Sequence, residues 1–357
     1  MTSKDQPRVL WLTNLPAPYR FPIWTRMAEF IDIKVAFLLG EKNWRNWNIP
    51  TEQKWKYIYL SLKSINIKEY DLIFSIRGAR KLLENIDILI LGGWETPFYI
   101  YTSFLAKKRN IPIIQFYEST SESHKFNNIL VRKIRSMVIS KAYLVVTLGM
   151  ASTNAVKSMG IASKKIVTLF NPVDVSWFHS FANTHRVPEI CGHKYIYVGQ
   201  LIERKNIVPI LSAFNAIREA DDTLTIAGNG PLLKDLKNLT ISLDLADAVT
   251  FVGHLNQEEL ASLYARSNTL ILVSTNEVWG LVVNEGLASG LHIVVSNKCG
   301  VSEFVQDMKG AYICSVDQKS IEEAMSKSKL EWSGYIEKPD MLQFTPERFA
   351  DEIVRLI

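Results

Sequence analysis

Two carboxylates, Glu277 and Glu285, flank the run Val278-Trp-Gly-Leu-Val-Val-Asn284. A helix is predicted to begin near Leu281 to Val283, which puts Glu285 within about its first turn and Glu277 in the loop before it. Both side chains can then face one ligand at the helix N-terminus. The free N–H groups and the dipole of a helix start suit a diphosphate, and Gly280 lets backbone come close. A carboxylate at this positive end can accept hydrogen bonds from ribose hydroxyls. The same spacing also arises on ordinary solvated helix faces, so the pair alone leaves both readings open.

The elements that must carry this pair come in an alternating order. Strand-like runs at Val9 to Thr13, Ile33 to Leu39, Ile86 to Leu91, Ile111 to Phe116 and Leu144 to Leu148 are separated by helical stretches such as Tyr99 to Arg109 and Phe126 to Ser140. Such alternation predicts a parallel sheet with helices on both faces. After a polar stretch containing Pro172 and Pro188 the pattern repeats, with strands at Tyr195 to Val198, Leu224 to Ala227, Val249 to Val252, Leu270 to Val273 and His292 to Val295. The division expected is a first domain over 1–172, a linker over 173–193 and a second domain over 194–343. Residues 344–357 are read as a C-terminal helix able to pack back on the first domain. In such sheets ligands bind beyond the carboxyl ends of the strands.

A length of 357 residues with 47% apolar and 22% charged residues describes folded α/β material rather than a disordered or fibrous chain. No apolar run approaches the roughly 18–20 residues of a membrane span. The polar start, Met1 to Arg8, lacks the pattern of a signal peptide, so the expected location is the cytoplasm. Cys191, Cys299 and Cys314 have neither disulfide nor zinc spacing and are expected to be free thiols. Charge is divided unevenly: residues 1–180 carry 25 Lys and Arg against 13 Asp and Glu, and residues 181–357 carry 16 against 23. The segment Lys125 to Lys141 has five basic and no acidic residues interleaved with Ile, Leu, Val and Met. An amphipathic basic helix of this kind suits an anionic inner membrane surface, together with Trp44, Arg45, Trp47, Trp55 and Lys56, or else it is a core-packed helix with a charged outer face. No nucleic-acid-binding motif accompanies the basic half, so nucleic acid is not expected as a partner.

Several motifs in order and spacing resemble the retaining glycosyltransferases of family 4, whose fold is GT-B: two Rossmann-like domains with parallel sheets facing across a cleft. Val198-Gly-Gln-Leu-Ile-Glu-Arg-Lys-Asn206 is similar to the family's G-R-L…K-G loop and Ile226-Ala-Gly-Asn-Gly-Pro231 to its A-G-x-G-P turn. Val249-Thr-Phe-Val-Gly253 resembles its V-x-F-x-G strand, Glu277 to Gly290 its E-x7-E with G-L-A-S-G, and Ser296 to Glu303 its G-x-x-E loop. In the first half, Asn14 to Arg20, Leu91 to Pro97 and Gln115 to Thr120 resemble a bacterial subgroup that builds surface polysaccharides.

The resemblance implies that Lys205 neutralises a donor diphosphate, that Glu285 binds the ribose and that Glu277 lies near the donor sugar. Arg204, Gln200, Gly228, Asn229, Val252, Gly253, Trp279, Gly280 and Leu281 complete the implied donor site. Gln200 stands where the family usually has an arginine, so phosphate binding must lean on Lys205 and Arg204. Pro18, Tyr19, Arg20 and Trp94 are the implied acceptor contacts. Glu118 falls near the family's histidine, with His124 six residues later, and is read as an acceptor-orienting group or as a local cap; Arg20 is equally a clamp on the first helix. The activity implied is transfer of a sugar from a UDP- or GDP-linked donor to a hydroxyl of a glycan or lipid-linked glycan, with retention. No metal or cofactor is expected, since no D-x-D stands at a strand end. A nucleotide-sugar 2-epimerase and a noncatalytic nucleotide-sugar-binding subunit are the alternatives.

Overall fold

The computed structural model describes residues 6–38, 52–60, 63–67, 70–74, 76–121, 129–187 and 192–357. Trp44, Arg45, Trp47, His124, Lys125, Pro188 and Cys191 lie outside the described residues. The chain forms two compact units, residues 1–170 with 346–357 and residues 171–345.

In the first unit β1 (Arg8–Thr13), α1 (Phe21–Met27), β2 (Asp32–Phe37), β3 (Lys56–Tyr59), β4 (Lys63–Ile67), β5 (Tyr70–Phe74) and α2 (Ile76–Leu82) come first. They are followed by β6 (Ile88–Leu91), α3 (Pro97–Lys108), β7 (Ile113–Tyr117), α4 (Ile129–Ser140), β8 (Leu144–Leu148), α5 (Gly149–Ser158) and β9 (Ile166–Leu169). Seven strands form a parallel sheet in the order β3-β2-β1-β6-β7-β8-β9, and β4 and β5 pair antiparallel on their own. β7 is buried from end to end and β1 from Val9 onward, as strands covered on both faces must be.

The second unit opens with α6 (Val175–His185), then β10 (Lys194–Val198), α7 (Ile207–Ile217), β11 (Thr223–Ala227), α8 (Leu233–Ser242), β12 (Val249–Gly253), α9 (Gln257–Tyr264) and β13 (Thr269–Leu272). It continues through α10 (Leu281–Ala288), β14 (His292–Ser296), α11 (Ser302–Val305), β15 (Ala311–Cys314) and α12 (Gln318–Leu330). Its parallel sheet runs β12-β11-β10-β13-β14-β15. The last helix, α13 (Pro346–Val354), belongs to the first unit, where Phe349 lies 6.2 Å from Phe116 and 5.6 Å from Phe170, and Asp351 pairs with Arg26 at 2.9 Å.

Two sequence readings change here. Residues 173–193, read as linker, contain α6, a helix capped by Asp174, whose carboxylate accepts from the Trp177 N–H at 2.9 Å. Val175, Phe178 and Ala182, on one helical face, are buried, and α6 packs on α9 and α10. Trp55, grouped with a surface-docking cluster, is 3% exposed and packs its ring 4.9 Å from Trp24, while Lys56 is exposed and ion-paired to Asp32 at 2.7 Å. An indole with that much apolar area is more stable in the core than on a surface.

Candidate functional site

In the second unit the strand order reverses between β10 and β13, and the residues following these two strands carry the charged groups. Beyond β10, Gly199 and Gln200 lead into a short 3-10 turn, Glu203–Lys205. The Tyr197 hydroxyl donates to the Gln200 carbonyl at 2.9 Å and holds this loop down. Asn206 then takes the left-handed conformation at φ 57° that the family pattern gives to glycine, and its amide anchors the turn by donating to Val316 O at 2.8 Å. Lys205 is thereby 8% exposed, with its ammonium on the Glu277 carboxylate. Arg204 reaches the same carboxylate oxygen at 3.0 Å and the Asn276 carbonyl at 3.1 Å, and its own carbonyl accepts the Thr275 N–H at 2.8 Å. Two cations thus converge on one carboxylate at the switch point.

Glu277 is pinned through its backbone. Its N–H donates to Lys298 O at 3.2 Å and its carbonyl accepts from Gly300 at 2.9 Å, so the β14–α11 loop sets its position. Gly280 caps α10 at φ 104°, and a Cβ there would meet Leu272 Cδ2 at 2.6 Å, so the sharp entry into the helix needs glycine. Gly228, at φ 136°, brings the end of β11 so close to Gly199 that a Cβ would lie 1.8 Å from the Gly199 carbonyl. Asn229 and Val252 are exposed beside it, and Gly253 O accepts the Gly228 N–H at 2.6 Å.

Glu285, in the second turn of α10, is half-buried. Burial pushes its carboxyl up to about 7, and the hydrogen bond from the Tyr264 hydroxyl, at 2.9 Å, works against that rise. Tyr264 ends α9 and is fully buried, with its own ionisation pushed up first by burial and then by Glu285. Trp279 is 3% exposed, its N–H given to Asn284 at 3.1 Å and its ring 5.4 Å from Phe304; among the implied donor contacts its side chain is a core strut that shapes the Glu277–Gly280 loop. Leu281 is half-buried at the helix start, and the Gln200 side chain is exposed.

In the first unit the strand order reverses between β1 and β6. Arg20, 8% exposed, has its guanidinium on the Glu118 carboxylate and about 6 Å from the rings of Trp11, Tyr19 and Phe116. Burial works against its charge, yet Glu118 and Tyr19 raise its pKa further above the usual range. Ser152 steadies Glu118 by donating to its carbonyl at 2.9 Å. Pro18 is exposed and Tyr19 half-buried in the 3-10 turn, Pro18–Arg20, that leads into α1. Trp94 is half-buried under the Arg135 guanidinium, 4.6 Å from the ring centroid.

Sequence reading missed Asn14, Glu95 and Gln115. Asn14 donates to Glu95 at 3.0 Å and accepts from the Tyr99 hydroxyl at 2.9 Å, closing the switch point between β1 and β6. Gln115 donates to Leu91 O and Gly93 O, both at 3.1 Å, and so fixes the turn that presents Trp94. Each lay inside one of these motifs: Asn14 directly follows β1, Glu95 lies in the loop between β6 and α3, and Gln115 is a polar residue in the middle of the otherwise apolar β7. Among the described residues no group of three His, Cys, Asp or Glu could hold a metal, and no helix is long and apolar enough to cross a membrane. Cys299 and Cys314 are buried free thiols.

Residues 192–340 match the family model of glycosyl transferases group 1. An N-acetyl-alpha-D-glucosaminyl L-malate synthase of Bacillus anthracis is 25% identical over 256 residues, which cover 69% of this chain and 66% of that enzyme. The chain spans less than two thirds of the length of the curated relatives it matches first. Among solved structures, a sucrose-phosphate synthase of Thermosynechococcus elongatus superposes with a TM-score of 0.74 at 15% identity, covering 98% of each chain. An Anabaena HepE solved with UDP-glucose gives 0.67 at 12% identity, covering 98% of this chain and 100% of that one. These likenesses show the GT-B fold.

Proposed function

Residues 192–340 match the family model of glycosyl transferases group 1, and we propose that the second unit binds a nucleotide-diphosphate sugar. Its sugar passes to a hydroxyl of a glycan or lipid-linked glycan of a bacterial surface polysaccharide, with retention at the anomeric carbon as in family 4. The observation that carries this reading is the convergence of Lys205 and Arg204 on Glu277, next to the N-terminus of α10, where Gly280 supplies no side-chain cap. As the bond to the anomeric carbon breaks, negative charge gathers on the departing diphosphate, and prepositioned cations with a helix start stabilise it without reorganising. Glu277, lying between those cations, holds the sugar hydroxyls. Glu285, when ionised, accepts the ribose hydroxyls, while Val252, Gly253 and Asn229 border the base. The acceptor hydroxyl loses its proton to the departing diphosphate, and within the first unit the Glu118–Arg20 pair, Pro18, Tyr19 and Trp94 are assigned to the acceptor.

A UDP- or GDP-linked donor suits this site, and the Anabaena HepE was solved in complex with UDP-glucose. No metal or cofactor enters the reading. The enzyme acts from the cytoplasm and touches the anionic inner membrane through α4, where exposed Ile129, Leu130 and Met137 alternate with Arg132 and Lys133.

A thermal-shift screen of UDP, GDP and their common sugars tests donor binding, since a ligand of the native state raises its melting temperature. Transfer at wild-type rate by Glu277→Ala would sink the assignment, and rapid appearance of an epimerised donor without any acceptor would replace it with the epimerase.

A further inference from the structure

At the switch point of the second unit a single carboxylate oxygen carries both cations. Glu277 Oε2 accepts from Arg204 Nη1 at 3.0 Å and from the buried Lys205 ammonium. Each cation is also held in place independently of that carboxylate. Arg204 donates to the Asn276 carbonyl at 3.1 Å, and its own carbonyl accepts the Thr275 N–H at 2.8 Å. The Lys205 stem runs along Gly199, where a Cβ would come within 3.7 Å of Lys205 Cε. Glu277 is pinned through its backbone to Lys298 and Gly300, so its half-buried side chain can swing without breaking those bonds. On its other side Glu277 Cγ would lie 3.8 Å from a Cβ on Gly280, at the start of α10, which no side chain caps. The carboxylate therefore stands between two cations and a helix start, where an anion is best answered. With the site empty, that anion is the protein's own.

We propose that Glu277 is an internal competitor for the diphosphate of the donor. In the empty site its carboxylate takes the hydrogen bonds of Arg204 and Lys205; an entering diphosphate displaces it, and the released carboxylate turns to the hydroxyls of the donor sugar. No covalent bond changes, and the cations keep their places while their acceptor changes. Once the sugar has been transferred, Glu277 reclaims the cations and the spent nucleoside diphosphate leaves. A diphosphate that carries a sugar offsets the displacement through the sugar hydroxyls, whereas one without it does not, so the site favours substrate over product. The roles of sugar and product rest on the donor reading of the second unit; the competition itself needs only an anion.

Calorimetric titration of the full chain with inorganic pyrophosphate tests it. Glu277→Gln keeps the size of the side chain and an acceptor oxygen but removes the charge, and should bind pyrophosphate at least about fivefold more tightly than the wild type. In a Lys205→Ala background the same substitution should gain about twofold or less, because the contested cation is gone. No binding by Glu277→Gln, or binding no tighter than that of the wild type, overturns the proposal. An equal gain in both backgrounds also overturns it, since that is plain charge repulsion. Thermal melts guard against a folding defect: without ligand Glu277→Gln should melt below the wild type, because Lys205 loses its counter-charge, and saturating pyrophosphate should narrow the gap. A gap that pyrophosphate leaves unchanged counts against the competition as well. The donor reading fails by a different readout, namely UDP and GDP both binding neither the wild type nor Glu277→Gln, whatever pyrophosphate does.

Discussion

Replacing Tyr264 by Phe removes one hydroxyl and leaves the ring that fills the end of α9. That hydroxyl is the donor to Glu285 at 2.9 Å, and it opposes the burial that already pushes Glu285 to about 7. A hydrogen bond to a charged group is worth roughly 1.5–3 kcal/mol, and one pKa unit corresponds to about 1.4 kcal/mol, so the carboxyl should rise by about one to two further units. At pH 7.5 its ionised fraction then falls from about three quarters to between about a quarter and a few per cent. If only the carboxylate accepts ribose hydroxyls, affinity for the donor's nucleoside diphosphate falls about 3- to 25-fold at that pH. Calorimetric titration from pH 6.5 to 9.5 checks this: the variant's acid limb should lie about one to two units above that of the wild type, with the two converging at the alkaline end. A coincident limb, or a loss of affinity that persists at pH 9.5, refutes the reasoning, because a merely structural defect is not repaired by base.

Lys205→Ala should weaken nucleoside diphosphate binding by about 1.5–3 kcal/mol, and Lys205→Arg should recover only part, since a planar fork cannot reproduce a point charge in so enclosed a place; isothermal titration measures both. His193, hydrogen-bonded to Thr269 at 2.8 Å, has its pKa lowered to about 4, first by burial. The unfolded imidazole binds a proton near 6.5, so this contribution is present above that pH and is lost as pH falls towards 4, by up to roughly 3 kcal/mol; urea midpoints across that window should drop, and an NMR titration of His193 near 6.5 would contradict the cause. Phe349→Ala should cost the first unit about 3–5 kcal/mol by emptying the contact with Phe116 and Phe170, read as a lower denaturation midpoint.

The residues of the candidate donor site could be named from the sequence because they lie in contiguous motifs. Lys205, Glu277, Gly280 and Glu285 fall at strand ends and a helix start, and a parallel α/β sheet puts such positions together whatever its details. Trp279 shows the limit. Its place in the motif suggested a ligand contact, whereas area and a partner in Asn284 turned it inward. Tyr264 was invisible for the opposite reason, since nothing in α9 marks it and its partner is 21 residues further along the chain. The 173–193 stretch was misjudged because its buried face is only three residues, which matter once α9 and α10 are there to receive them.

By itself the sequence determined the alternation of strands and helices, the two-unit organisation and the residue types offered at each strand end, since these follow from local periodicity and backbone stereochemistry. Only the tertiary structure decided which charges meet. Arg204 and Lys205 find Glu277 across 73 and 72 residues, Arg20 finds Glu118 across 98, and Glu285 is held between burial and Tyr264. Ionic contacts and desolvation depend on distances that exist only once the chain is packed.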